Sequence, residues 1–434
     1  MSSHLGPAVV IGAGVIGCSI AWSLAQRGHD VTVIDKGPGP GSGSTSASSA
    51  VVRFSYSTLD AVKLAWESAL LWDRWSNYLG VDDPSGYARL IRTGLLILDS
   101  PMTRLDMVQS HFDEVGVPYE AFTPEQLADR YPQLDLGRFF PPRTLDDPKF
   151  WDDGTGVLGG YLTPDAGYID DPALAAHNLM VAASHHGATF RFRTRVEEID
   201  RAEDGVHGVR LDDGAHLPAA VVVNAAGPHS RQVNALAGLA KAPGIHTRAL
   251  RQEVHSLPAP VDFTDPHQSV AVSDSDLGTY FRPHLGETLI VGGVEPECDP
   301  LVWIEDADDY VTAPTTVAWE AQTTRLAKRV PSLAVPVRPS GVAGLYDVAD
   351  DWMPVYDRTD LPGFYTAIGT SGHQFKNAPM IGPLMADLIS ACQGGHDHDS
   401  SPIQVTGPVT GNAINLGHFS RRRSQHSTTN SVLG

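Results

Sequence analysis

Apolar positions in this chain recur with two different periods, and the switches between them mark its elements. Pro7 to Ile11 is a short continuous apolar run that predicts a buried strand. Ile20, Ala21, Leu24 and Ala25 then recur at helical spacing until Gly28 stops the helix, and Val31 to Ile34 is a second, β-branched run closed by Asp35. Together they predict a βαβ unit. The run Gly37 to Ser44 is too rich in Gly, Pro and Ser to be an element and predicts a loop, which leads through a Ser/Ala segment to Arg53. Residues 60 to 78 offer Val62, Leu64, Ala65, Ala69, Leu70, Leu71, Trp72 and Trp75 to one face and predict an amphipathic helix.

Strand patterning returns over Gly187 to Phe192. It returns again over Leu217 to Asn224, which runs into Ala225-Ala226-Gly227. Phe364 to Ile368 runs in the same way into Gly369 to Gly372, with a helix from about Pro379 to Ala391. Strand-to-glycine turns this far apart predict one sheet assembled from distant segments. Leu136 to Thr155 is an irregular excursion whose Phe139, Phe140, Phe150 and Trp151 suit a lid over a larger substrate. From about Gly394 the chain is polar and turn-rich, and His396-Asp397-His398-Asp399 reads there as solvated side chains in preference to a metal site.

At 434 residues and 42% apolar content the chain can bury a sizeable core. Its formal charge of -20 repels a phosphate backbone or an anionic lipid surface, so neither nucleic acid nor membrane is expected as a partner. Only Arg421-Arg422-Arg423 runs the other way. No apolar stretch approaches the roughly 20 residues that span a bilayer, and a cytoplasmic location is expected. Three widely spaced cysteines, Cys18, Cys298 and Cys392, supply neither a disulfide framework nor a metal-binding spacing.

The chemistry begins at Gly12-Ala13-Gly14-Val15-Ile16-Gly17. A G-x-G-x-x-G pattern means little alone, but here a strand precedes it, a helix follows, and an acidic residue closes the next strand. Gly12 permits the tight turn, Gly14 lets the backbone approach a pyrophosphate, and Gly17 lets the helix pack on the strand. The N–H groups of the first helical turn, at Val15 and Ile16, face the phosphates, and Asp35, followed by Lys36, suits an adenosine ribose. FAD and NAD both fit this fingerprint.

Four motifs taken together are more specific: the opening turn, Thr163-Pro164-Asp165-Ala166-Gly167-Tyr168, Asn224-Ala225-Ala226-Gly227-Pro228, and Gly369-Thr370-Ser371-Gly372-His373-Gln374-Phe375-Lys376. With them the chain resembles the D-amino-acid oxidase superfamily of flavoproteins over residues 7 to 392, nearest the sarcosine and glycine oxidase branch. The resemblance implies an α/β architecture, a Rossmann-like FAD domain interleaved with an antiparallel-sheet substrate domain. FAD-domain segments are expected at 5–85, 155–235 and 338–395, substrate-domain segments at 86–154 and 236–337, and a polar tail at 396–434. It also implies FAD contacts from Ser44 and Thr45 in the loop, from Val196 near adenine, from Ala226 and Gly227, and from Gly369, Ser371, Gly372, His373, Gln374 and Lys376 along the flavin.

The activity implied is oxidation of an amine C–N bond to an imine in an amino acid or N-alkyl amino acid, with hydride passing to flavin N5. The product includes hydrogen peroxide if oxygen is the acceptor; a protein or quinone acceptor, a cyclic or biosynthetic amine as substrate, and a flavin-binding protein without chemistry are the alternatives. Arg53 and Lys376 match positions that bind substrate carboxylate, and Tyr346 and Tyr280 match aromatics of the substrate cavity; without the family, each is an ordinary surface cation or core aromatic. Gly344 stands where a cysteine tethers FAD in monomeric sarcosine oxidase, so FAD is expected to be non-covalent. Ile290 or a neighbour in Thr288-Leu289-Ile290-Val291-Gly292-Gly293 stands where a lysine assists the reaction with oxygen in the family, which leaves the acceptor open. The expected assembly is a monomer or small homo-oligomer.

Overall fold

A computed structural model describes residues 5–242, 244–265 and 269–434. Its first sheet has six strands in the order Val355–Arg358, Phe364–Ile368, Val221–Asn224, Leu5–Ile11, His29–Ile34 and Thr189–Arg191. All neighbours are parallel except the pair Val355–Arg358 and Phe364–Ile368. This is the sheet expected from the distant strand-to-glycine turns. Side chains alternate across it: Ala8 and Val10 join a core with the helices Val15–Gln26, Pro172–His185 and Ala378–Gln393, while Val9 and Ile11 pack beneath the three-stranded meander Val196–Ala202, Gly205–Leu211 and His216–Pro218. Two of the helices touch at backbone distance, since a Cβ on Gly382 would lie 2.2 Å from the Ser19 carbonyl oxygen.

Two sequence expectations shift in detail. The helix over 60–78 is broken at Asp73-Arg74 into Leu59–Trp72 and Trp75–Leu79. The apolar run from Leu217 divides, with His216–Pro218 in the meander and only Val221–Asn224 in the main sheet. Pro218 has no N–H with which to continue a ladder.

The second sheet has nine strands. Eight follow the order Val302–Ile304, Thr247–Pro258, Thr288–Gly293, Thr279–His284, Ala271–Asp274, Leu95–Leu98, Gly160–Thr163 and Glu120–Phe122, and Gly341–Ala349 pairs along Thr247–Pro258. The amphipathic helix Thr316–Arg329 covers one face, where Trp319 and Leu326 bury against Leu257, Phe281, Leu289 and Val291. Gly160–Thr163 and Gly341–Ala349 lie within segments expected in the FAD domain, yet both pair into this sheet. Chain segment and sheet membership part company there.

No residue of the 136–155 excursion, expected as a lid, lines the cavity described below, and the excursion is tied down beside the second sheet: the N–H groups of Phe139 and Phe140 donate to Asp276 at 2.8 and 2.9 Å, and Arg325 donates to the Arg143 carbonyl at 2.9 Å. Arg329, itself inaccessible to solvent, bridges Asp274 and Asp276 and donates to the Gly137 carbonyl at 3.0 Å. Removing one partner from such a buried network costs about 3–5 kcal/mol.

The polar tail is only partly solvated: His396 and Asp397 are exposed, as expected, but beyond them that expectation fails. Its hairpin, Gln404–Thr406 with Ala413–Asn415, is held by Glu67, which accepts from the N–H groups of Val409 and Thr410. Val405, Ile414, Leu416 and Phe419 join the main core, and His398 is buried beside Asp357. The three arginines that ran against the net charge serve as ties: Arg421 pairs with Asp357, Asp360 and Asp399, Arg422 with Asp360 and Asp399, and Arg423 with Asp351. The expectation failed because apolar residues there are single and scattered, while the charges that suggest solvent find opposite charges in the folded body.

Candidate active site

Strand register brings the first set of candidate residues together. Ile11 lies opposite both Ile34 and Asn224, so the turns after three parallel strands meet at one sheet edge. Gly12 has φ of +111°, and a Cβ on it would sit 2.3 Å from the Ala225 carbonyl oxygen; one on Gly17 would sit 1.9 Å from the Gly12 carbonyl oxygen. Only glycine fits either place. The helix that begins at Val15 has no side-chain cap at Gly14 and no acidic residue in its first turn. The Val15 N–H donates to the Thr45 hydroxyl at 3.1 Å, and Ile16 follows in the same first turn. Asp35 accepts from the N–H groups of Ala13 and Gly37, both at 2.6 Å, which locks the turn to the loop behind it. Each oxygen keeps a further lone pair.

Around this edge, Ser44 donates to the Leu345 carbonyl at 2.6 Å and so ties the loop to the second sheet. The Ala226 N–H donates to the Asn224 side chain at 3.2 Å, and Gly227 has φ of +56°. Lys36 pairs with Asp308, which also accepts from Arg195 at 3.0 Å, and these donors hold the Asp308 carboxyl well below the usual range. Val196 opens a meander strand opposite Leu211.

The turn Gly369 to Gly372 is held by a residue whose role the motifs did not reveal. Asp347 accepts from the Gly369 N–H at 2.7 Å through its carboxylate and from the Ser371 N–H at 2.7 Å through its carbonyl. Burial pushes the Asp347 carboxyl up to about 7, although the Gly369 N–H and the Thr247 and Ser230 hydroxyls act against it. The Ser371 hydroxyl donates to the Gly369 carbonyl, and the His373 N–H to the Thr370 carbonyl. Two of the turn's four N–H groups, those of Gly369 and Ser371, are thus engaged within the protein. Gly372, with φ of +76°, leaves room for the Tyr346 ring, which a Cβ would meet at 2.4 Å. His373 is buried in the wall of a cavity with both ring nitrogens engaged: Nε2 donates to the Trp352 carbonyl at 2.7 Å, and Nδ1 meets the Gln374 amide and the Tyr56 hydroxyl. Burial, then Lys376 and Arg53, push its pKa well down, so it is a neutral, fixed imidazole. Gln374 in turn accepts from Tyr356 and Asn377.

All four substrate-side candidates, Arg53, Tyr280, Tyr346 and Lys376, line one cavity together with Ser48, Ser49, Phe375 and Val432. Lys376 donates to the His373 carbonyl at 2.6 Å and lies over the Tyr56 ring at 4.9 Å; Arg53 lies over the same ring at 4.3 Å. Tyr56, absent from the motifs, is therefore the platform on which both cations rest, and burial raises its hydroxyl to about 12. The Tyr280 hydroxyl donates to Ser49 at 2.8 Å, and Arg282, buried over the Tyr168 ring at 3.8 Å, donates to the Ser49 carbonyl. No residue of the 136–155 excursion lines the cavity; the tail residues Val432 and Leu433 do.

The family model described as FAD dependent oxidoreductase matches residues 8–388. The chain belongs to this family. It is an FAD-dependent oxidoreductase, with FAD as its cofactor. Among similar proteins, the 4-methylaminobutanoate oxidase (formaldehyde-forming) of Paenarthrobacter nicotinovorans is 27% identical over 408 residues, which cover 91% of this chain and 45% of that one. The chain thus spans about half the length of that relative. The glycine oxidase of Geobacillus kaustophilus is 24% identical, over 93% of this chain and 97% of its own. The L-proline dehydrogenase of P. horikoshii superposes with a TM-score of 0.70 at 25% identity, covering 89% of this chain and 94% of that one.

The residues present fit FAD. Backbone without Cβ at Gly12 and Gly17, a helix N-terminus without a side-chain cap at Gly14 and the Asp35 carboxylate would cradle the ADP half of the cofactor, and the turn carrying Gly369 to Gly372 meets Tyr346 at the cavity. Gly344, where a tethering cysteine would stand, packs against Ala47, which a Cβ would meet at 3.0 Å. Among the described residues, no helix is long and apolar enough to cross a membrane.

Proposed function

We propose that this flavoenzyme oxidises the C–N bond of an amino acid or N-alkyl amino acid to an imine. The observation that best supports this is a pair of buried cations without a salt bridge, of which Arg53 feels the Glu295 carboxyl, itself raised by burial. Arg53 and Lys376 are 7% and 2% exposed, and neither forms a salt bridge among the described residues. Burying an unpaired charge is costly, so these two side chains call for an anion from outside the protein, and a substrate carboxylate supplies it. Burial, then Arg53, push Lys376 well below its ordinary value, which an entering carboxylate would reverse.

Bound FAD supplies the electron sink for the C–H bond beside the amine nitrogen. The protein's own part is placement. Arg53 and Lys376 hold the carboxylate, Tyr346 and Tyr280 wall the cavity, and the fixed His373 holds the backbone between Gly372 and Lys376 in one arrangement. The similar proteins, named as oxidases of glycine and 4-methylaminobutanoate and a dehydrogenase of L-proline, support the same class of donor. Ile290, a half-buried aliphatic where sarcosine oxidases carry a lysine, favours an acceptor other than oxygen.

An anaerobic screen of D-, L- and N-methyl amino acids and cyclic amines against the FAD-loaded protein tests this reading. Bleaching of the flavin absorbance by at least one amino acid is expected, and no bleaching by any of them would sink it. Adding oxygen to the reduced protein then sorts the acceptors, with reoxidation slower than turnover expected.

A further inference from the structure

We propose that Glu295 anchors the amino nitrogen of the substrate while Arg53 takes its carboxylate, so that the two residues together measure out one amino-acid backbone. The inference rests on the amino-acid reading above and extends it to a residue that no motif pointed to. Its basis is the way Val432 sits in the cavity. The Val432 N–H donates to Glu295 Oε2 at 2.7 Å, and the Val432 carbonyl oxygen accepts from an Arg53 terminal nitrogen at 2.6 Å. Nitrogen, one α-carbon, then a carbonyl carbon is also the connectivity of a free amino acid. Glu295 and Arg53 are therefore already spaced for such a molecule, and the tail residue occupies the place it would take.

Two further observations point the same way. Oε1 of Glu295 is sealed from solvent and has no hydrogen-bond partner among the described residues, although a peptide nitrogen already occupies Oε2. A peptide N–H can satisfy only one of these oxygens, whereas an amine nitrogen carrying two or three hydrogens can serve both. The carboxylate also reaches this position from a non-glycine residue at φ of +51°, directly after Val294, which lines the cavity. Left-handed backbone at a residue with a Cβ costs about 1 kcal/mol or more and persists where the surroundings demand it. Burial raises the Glu295 carboxyl to about 8, against the Val432 N–H and Arg53, which is the behaviour of an acceptor short of positive charge.

Three matched pairs test the inference: glycine with glycolate, sarcosine with methoxyacetate, and L-proline with tetrahydrofuran-2-carboxylate. Each pair shares a carboxylate and differs at the nitrogen, which oxygen replaces. With the FAD-loaded full chain, Kd for each amine comes from saturation of the anaerobic bleaching rate, and for each oxygen analogue from competition. For the pair containing the best substrate, the wild type should bind the amine at least about tenfold more tightly than its analogue, the scale of one hydrogen bond to a charged group. Glu295→Gln should weaken the amine by a similar factor and leave the analogue within about twofold, while Arg53→Met should weaken both.

Amine binding in Glu295→Gln that matches the wild type would overturn the assignment. So would a wild type that binds amine and analogue alike, a measurement that stands even if the variant does not fold. If another amino acid of the screen bleaches the flavin instead, it and its 2-hydroxy analogue form the pair; absence of bleaching by every amino acid of that screen would remove the amino-acid reading itself, and this inference with it.

Discussion

The two ends of the site are built from different materials. The cofactor end is mostly main chain: glycines without Cβ, the N–H groups of a helix start, and a carboxylate that bonds backbone. The substrate end is mostly side chain, with Arg53, Tyr56, Tyr280, Glu295, Tyr346, Lys376 and Val432 converging from distant segments of both sheets and the tail. Main-chain recognition needs a local conformation, which a short motif can dictate. Side-chain recognition needs a place in space, which the fold must provide.

The sharpest way to break this contrast is at Gly17. Gly17→Val would thrust its side chain into the Gly12 carbonyl oxygen and should abolish FAD retention, read as flavin content after purification. Gly6→Ala, whose Cβ meets only the Ala220 Cβ at 3.8 Å in the strand before the turn, should keep its flavin. Equal flavin loss in both would show that the cradle is not set by backbone clearance. Next in size, Arg53→Met should raise KM for a carboxylate substrate by about 100-fold, the scale of a lost charge-assisted pair, with flavin content unchanged. Loss of flavin in step with substrate affinity would mean that the two ends are not separable.

Asp347 joins the ends, because it sets the turn at Gly369 from a strand of the second sheet. Its carboxyl is raised by burial to about 7, so the folded state holds the proton more tightly than the unfolded chain does. The stability this adds is fully present below about pH 4 and disappears as pH rises to about 7. Relative to Asp347→Asn, the wild-type protein should therefore lose roughly 3–4 kcal/mol as pH rises from about 4 through about 7, measured by thermal unfolding without FAD. A constant difference between the two across this range would contradict the buried, protonated assignment.

The smallest effect is expected in the tail. Val432→Pro removes the N–H given to Glu295 and should lower substrate KM about fivefold, the worth of roughly one net hydrogen bond, with stability changed by less than about 1 kcal/mol. An unchanged KM would place the tail outside the substrate's path.

Much of this molecule was legible before its fold. The strand, turn and helix at residues 5–26, Asp35 after the second strand, and the sheet gathered from residues far apart are where the pattern placed them. Arg53, Tyr280, Tyr346 and Lys376 were reached through a resemblance and do share one cavity. What escaped has a common physical character. Tyr56 matters as a surface under two cations, Asp347 through a bond to a turn 22 residues later, and Glu295 through a contact with residue 432. None lies in a run whose period or spacing marks it.

The errors have the same origin. An aromatic-rich excursion suggested a lid, yet buried arginines on a distant helix tie it down and none of its residues lines the cavity; a charged tail suggested solvent, yet its arginines meet aspartates buried beneath it. Sequence by itself determined the parts whose physics is local: strand and helix periodicity, the glycines that no Cβ can replace, and with them the dinucleotide. Only the tertiary structure decided which charges are buried, which of them lack partners and what fills the cavity, because desolvation and pairing depend on neighbours brought together from every part of the chain.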